Sequence, residues 1–153
     1  MKIAVFPGSF DPITKGHENI IRRIASLFDV VYIAIGKNSV KKSLFPLEKR
    51  LLWIESVAKQ FANVQTITYN GLTVDLCEKI DAKYIIRGIR NEADFRYEND
   101  IAQTNRILAP TIETIFLTTA PELSFISSSI VRDIYTHNGN YQQFLPDIIN
   151  EWK

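Results

Sequence analysis

Apolar residues along this chain gather in short runs separated by longer stretches of mixed character. The runs are Ile3-Ala4-Val5-Phe6, Val30 to Ile35, Val64 to Tyr69, Tyr84-Ile85-Ile86 and Thr114 to Leu117. Each is short and β-branched or aromatic, which predicts a buried strand. Between them the apolar positions change to a helical spacing. Ile20, Ile21, Ile24, Leu27 and Phe28 form one such set; Leu51, Leu52, Ile54 and Ala58 form a second, with Glu55 on its polar side; Leu72, Leu76 and Ile80 form a third. Strand and helix alternating about five times predict an α/β fold, an open parallel sheet with helices on both faces. From Ser127 to Lys153 the pattern predicts one or two C-terminal helices, broken at Gly139 and Pro146. Right-handed crossovers would bring the carboxyl ends of all strands to one edge, where ligands bind near the reversal of strand order.

Length and charge narrow the possibilities. The 153 residues contain no repeat or low-complexity segment, which predicts one domain over residues 1–153. Eighteen basic and seventeen acidic side chains leave a net charge of +1, so no global field draws the protein to nucleic acid. Cys77 is the only cysteine, which excludes an intrachain disulfide and a cysteine-based zinc cage. The first apolar run ends at Pro7-Gly8, too short for a signal-peptide core, and Val30 to Ile35 is far below membrane-spanning length. A cytoplasmic protein without a membrane partner is the expectation.

Four polar segments stand where the predicted strands end. "GSFDPITKGH", residues 8 to 17, leaves the first strand and opens the first helix. Gly8 is expected to supply special backbone geometry and Pro12 a bend. Lys15-Gly16-His17 falls in the first helical turn, where unpaired N–H groups and the helix dipole favour an anion. The same loop also fits an ordinary turn capped by Ser9, Asp11 or Thr14, with His17 on the surface. It is neither a P-loop nor a dinucleotide fingerprint, because its glycine spacing and lysine position are wrong. "LSFISSSIVR", residues 123 to 132, marks another helix start, either a serine cap alone or a second phosphate site with Arg132 further on. Arg87 and Arg90 follow the fourth strand and are suited to clamp phosphates, whereas Glu92 to Asp100 reads as a solvated helical face laced with charge pairs. The fourth segment, "KNSVKKSLF" (37–45), carries three lysines, as a charged surface loop or as a source of cations for an anionic substrate.

Taken together these residues resemble the phosphopantetheine adenylyltransferases. Their superfamily carries a T/H-x-G-H motif and a late I-S-S-x-x-x-R motif. Here these read Thr14-Lys15-Gly16-His17 and Ile126-Ser127-Ser128-Ser129-Ile130-Val131-Arg132. "PGSFDPITKGH", "IRGIRNEADFRYE" and "FISSS" narrow the match, which is collinear from residue 3 to about 146. The resemblance implies a Rossmann-like sheet, adenylyl transfer from ATP to 4′-phosphopantetheine, Mg2+ carried mainly by the nucleotide phosphates, and a homohexamer. It implies ATP contacts at Ser9, Phe10, His17, Gly88, Ile89, Arg90, Glu98, Leu123, Ser124, Phe125, Ile126, Ser127, Ser128 and Ser129. It implies contacts with the acceptor at Ser9, Lys41, Thr73 and Arg87, and catalytic roles for His17 and Lys41. Two residues depart from the family's pattern: Leu123 stands where many relatives carry an aromatic residue, and Gly71 where some carry aspartate.

A phosphate monoester is already an anionic nucleophile, so the implied reaction asks for positioning and charge stabilisation rather than a strong base. That fits a mixture of helix N-termini, hydroxyls, cations and one histidine. On this view the loop Lys37 to Phe45 is expected to be mobile and to close over bound phosphates, carrying Lys41 with it.

Overall fold

The sheet has the order β3-β2-β1-β4-β5, and every neighbouring pair is parallel. Its strands are β1 (Ile3–Gly8), β2 (Val30–Gly36), β3 (Val64–Tyr69), β4 (Tyr84–Ile89) and β5 (Glu113–Thr118). Between them run α1 (Lys15–Ala25), α2 (Leu47–Ala58), α3 (Thr73–Lys79) and α4 (Glu92–Leu108), followed by α5 (Ser128–Thr136) and the short α6 (Asp147–Asn150). The computed structural model describes residues 1–37 and 40–150. All five predicted strands are present, and the last extends one residue beyond the apolar run at each end.

Alternation along the strands divides the core in two. Ala4 and Phe6 of β1 join Val31, Ile33 and Ile35 of β2 on one face, under Ile20, Ile21 and Ile24 of α1 and Trp53, Ile54 and Val57 of α2. Val5 and Ala34 point to the opposite face, where Val74, Leu76 and Cys77 of α3 meet Ile85, Ala109 and Ile112. Burial pushes the Cys77 thiol up to about 11, as expected of an inert packed sulfur.

The C-terminal segment follows its predicted breaks. Gly139 comes just after α5, where its N–H donates to Ile134 O at 2.8 Å and a Cβ would lie 2.7 Å from the Ile134 side chain. Pro146 stands directly before α6, and the last three residues of the expected segment, 151–153, lie outside the described residues.

The chain winds from β1 outward to β3, then returns to the other side of β1 for β4. The strand order therefore reverses between β1 and β4. The ladder between these two strands pairs Ala4 with Tyr84 and Val5 with Ile85 and then stops, whereas β1 stays paired with β2 through Gly8. The strands thus part at their carboxyl ends, and a crevice opens at the switch point.

Candidate active site

The first loop builds the floor of that crevice. Thr14 is the extended N-cap of α1, and its Oγ1 accepts from the His17 backbone N–H at 3.3 Å. In return the Thr14 N–H donates to His17 Nδ1 at 3.0 Å. The T-x-G-H spacing is thus a capping box in which histidine replaces the usual glutamate or glutamine. Because Nδ1 accepts, the proton of the neutral ring resides on Nε2. Burial, followed by the charges of Arg87 and Arg90, lowers the His17 pKa to about 4. His17 lines the crevice and therefore offers a neutral N–H donor there near pH 7.

The special backbone expected at Gly8 belongs instead to Phe10, which has φ 45. Gly8 ends β1, and its lack of a Cβ matters because that atom would lie 3.0 Å from the Phe10 ring. The folded-back Phe10 ring is buried and meets His17 edge-on at 5.0 Å between centroids. The Asp11-Pro12 peptide is cis.

β4 runs on through Arg87 to Ile89, so of the two arginines expected to follow the strand only Arg90 does; both are held by carboxylates of α4. Arg87 forms a fork to Glu98, from Nε at 2.8 Å and from Nη2 at 2.6 Å. Its Nη1 donates to the Pro7 carbonyl, which lies where the β1–β4 ladder has parted. Arg90 makes the corresponding fork to Asp94, at 2.9 and 3.0 Å. Burial opposes the charged Asp94 carboxylate, but the hydrogen bonds from Arg90 and the charges of Arg90 and Arg87 prevail and hold its pKa below the ordinary value. The expectation of a merely solvated charged face over Glu92 to Asp100 therefore fails at Glu98. This residue is buried and reaches back to the strand end. Two N–H groups of Arg87, one on each Nη, remain outside these bonds.

The serine segment faces the loop from across the crevice. Ser127 caps α5 by accepting from the Ile130 N–H at 3.1 Å, and the Ser128 hydroxyl donates to Pro12 O at 2.8 Å. Arg132 donates to Asp11 O at 2.7 Å and to Ser129 Oγ at 3.1 Å. The N-termini of α1 and α5 thus open on one cleft of about 420 Å³, within the usual range for small-molecule sites.

Of the expected site residues, the cleft gathers Ser9, Phe10, His17, Lys41, Arg87, Gly88, Arg90, Glu98, Ile126, Ser127, Ser128 and Ser129. Ile89, Leu123, Ser124 and Phe125 lie outside its wall; Ser124 closes its own turn onto Pro121 O at 2.9 Å, and Phe125 is exposed. Thr73 is also outside, with its hydroxyl 2.8 Å from the Tyr69 hydroxyl. Asp94 and Thr14 also line the cleft although the expected contacts did not include them. Arg132, which the sequence offered as part of a second phosphate site at the end of the late motif, lines the cleft too.

Lys41 already reaches the cleft, with Nζ 3.4 Å from Ser9 Oγ. Closure is therefore not needed to bring it there. Of the loop expected to be mobile, residues 38 and 39 lie outside the described residues, while its end at Phe45 is buried against Trp53, Tyr135 and Tyr141. A second cavity, lined by Lys37, Lys41, Lys42, Ser43, Arg50 and Asn70 among others, shares Ser9 and Lys41 with the first.

The parallel sheet of this order carries a cleft lined by hydroxyl, histidine and cationic donors at its switch point, and residues 5–134 match the family described as cytidylyltransferase-like, which makes the chain a nucleotidyltransferase-like protein. A solved structure described as a putative nicotinate-nucleotide adenylyltransferase from Vibrio parahaemolyticus shares the fold, with TM-score 0.66 at 20% identity over 97% of this chain and 96% of that one. Phosphopantetheine adenylyltransferases of Flavobacterium johnsoniae and Flavobacterium psychrophilum are 55% and 52% identical, each over 97% of this chain and over 97% and 98% of their own. The chain belongs to the phosphopantetheine adenylyltransferase family.

Proposed function

We infer that the protein transfers an adenylyl group from ATP to 4′-phosphopantetheine, giving dephospho-coenzyme A and pyrophosphate, a step of coenzyme A biosynthesis. One observation carries the two-substrate reading: Ser9 and Lys41 stand in the wall common to both cavities. The cleft under α1 and α5 takes the nucleotide, and the lysine-rich cavity beside it takes the acceptor.

An oxygen of the acceptor phosphate forms a bond to the α-phosphorus of ATP as the bond to the pyrophosphate oxygen breaks. His17 donates Nε2–H to an α-phosphate oxygen, where charge builds in the transition state. Lys41 lies between the two reacting phosphates and offsets their mutual repulsion. Ser9, Phe10, Gly88, Ile89, Arg90 and Glu98 shape and bind the nucleotide side, with Ile126 and Ser127 to Ser129 at the α5 terminus holding its phosphates. Leu123, Ser124 and Phe125, beyond the wall, meet the nucleotide at its outer end. Arg87 turns its two remaining N–H groups to the acceptor phosphate. Thr73 acts on the acceptor cavity through Tyr69, whose ring backs Gly36 of its lining at 3.5 Å from a built Cβ.

Among the described residues no group of three or more His, Cys, Asp or Glu side chains could hold a metal ion. Of the cleft carboxylates, Asp94 and Glu98 already serve arginines, and both oxygens of Asp11 accept from the Leu44 and Phe45 N–H groups. Mg2+ therefore fits as an ion carried by nucleotide oxygens and water, and when bound it offsets charge on the triphosphate. The protein acts as a homohexamer in the cytoplasm. Exposed Phe95, Ile101, Ile107 and Leu108 give α4 an apolar surface that subunit contacts would cover.

Pyrophosphate release with ATP and a panel of acceptors tests the reading. It predicts turnover with 4′-phosphopantetheine and little with nicotinamide mononucleotide. The reverse preference contradicts it.

A further inference from the structure

Two buried charged side chains fix the loop that carries Lys41. Asp11 is 5% exposed, and its two oxygens accept from consecutive backbone N–H groups, Leu44 at 2.8 Å and Phe45 at 2.9 Å. Arg50 is 7% exposed and stands near the start of α2. It donates from Nε to the Phe45 carbonyl at 2.9 Å and from Nη1 to the Ser9 carbonyl at 2.7 Å. Phe45 is therefore gripped at both its N–H and its C=O. Ser9, whose hydroxyl faces Lys41, is held at its carbonyl by the same guanidinium.

Neither side chain is needed merely to bury the loop, because the Phe45 ring is anchored by Trp53 at 5.1 Å and Tyr135 at 5.0 Å between centroids. Burying a carboxylate is costly unless its oxygens are bonded, and here both are spent on the direction of two peptide groups. Lys41 is four residues before Phe45, at most about 14 Å of extended chain. A fixed end at Phe45 thus confines the main chain that places the ammonium.

We propose that Asp11 and Arg50 are positioning residues for adenylyl transfer, forming a clip that holds Lys41 and Ser9 in mutual register at the wall between the two cavities. The proposal rests on the reading that Lys41 serves the reacting phosphates. Asp11→Asn keeps the size of the side chain but presents an amide NH2 where two N–H groups converge.

The test is a cycle of Asp11→Asn and Lys41→Ala, with kcat read at saturating ATP and 4′-phosphopantetheine. Asp11→Asn should lower kcat by about 10²-fold, the scale of a small misplacement. In the Lys41→Ala background it should cost less than about threefold, because residues acting as one unit are not additive. Hydrogen exchange at the Leu44 and Phe45 amides should speed up in Asp11→Asn whether or not the enzyme turns over. Equal losses in both backgrounds would overturn the clip while leaving the role of Lys41 standing. Full turnover by Lys41→Ala alone would overturn that role and the proposal with it, and unchanged exchange at residues 44 and 45 would also overturn the clip. If Asp11→Asn does not fold, Arg50→Lys in the same cycle is expected to show the same non-additivity, and additivity there counts against the proposal equally.

Discussion

The main-chain N–H of Thr14 points at Nδ1 of His17 across 3.0 Å, so the cap that starts α1 also fixes the tautomer of the ring in the cleft. A single four-residue motif begins a helix, opens its N-terminus on the cleft and leaves Nε2–H outside the cap. Protonating Nδ1 removes the return half of the cap, because the ring can no longer accept from the Thr14 N–H. The unfolded chain binds a proton at His17 near pH 6.5, whereas the folded chain does so at about 4. Between those values the unfolded state binds more protons, so stability falls as pH drops, by at most about 1.4 kcal/mol per unit, and the slope vanishes below about 4. An NMR titration of the imidazole should show the low midpoint, and His17→Gln, which retains an acceptor, should flatten the pH dependence in urea unfolding. A midpoint near 6.5 contradicts the account.

Thr14→Ala removes the hydroxyl but retains the backbone donor to Nδ1. Its expected cost is about 1 kcal/mol of stability, typical of a lost N-cap. Turnover should fall less than about tenfold, because the tautomer survives. Chemical unfolding and kcat measured on the same preparation check the separation, and Thr14→Ser should restore the stability.

Arg87 bridges a strand end and a helix, so its removal should act twice. Leaving Glu98 buried and unpaired costs about 3 kcal/mol or more. The KM for phosphopantetheine should rise more than that for ATP, through the lost phosphate contact. Arg87→Met with Glu98→Leu should recover stability without recovering the acceptor KM. A selective loss of ATP affinity would mean that the roles of Arg87 and Arg90 are exchanged.

Much of this could be read from the chain alone, for identifiable reasons. β-branched runs such as Val30 to Ile35 have one way to be buried in a parallel sheet, and the fixed spacing of Thr14 and His17 survives as a local cap. What was hidden is non-local. No pattern links Glu98 to Arg87 or Asp11 to the peptide groups of Leu44 and Phe45, because those bonds depend on where β1 and β4 part and how the loops return. The left-handed Phe10 was equally invisible, since Gly8 nearby offered the cheaper explanation.

Gly71 is a clearer case, with φ +84 and nothing within 4 Å of a built Cβ. The turn from β3 to α3 needs a residue tolerant of the left-handed region, and aspartate tolerates it better than alanine. Gly71→Ala should therefore cost about 1 kcal/mol with unchanged kcat, and Gly71→Asp less. Denaturant midpoints of the two variants measure the difference. A larger loss in Gly71→Asp would mean that the conformation is not the reason for the glycine.

The central claim is that a neutral His17 stabilises the transferring group rather than the bound nucleotide. The most direct measurement is ATP affinity by calorimetry beside kcat at saturation for His17→Ala. The account predicts a Kd within about threefold of the unaltered protein and a turnover lower by roughly 10²–10³-fold, the effect of losing one transition-state donor. Abolished ATP binding with turnover unchanged at saturation would contradict it.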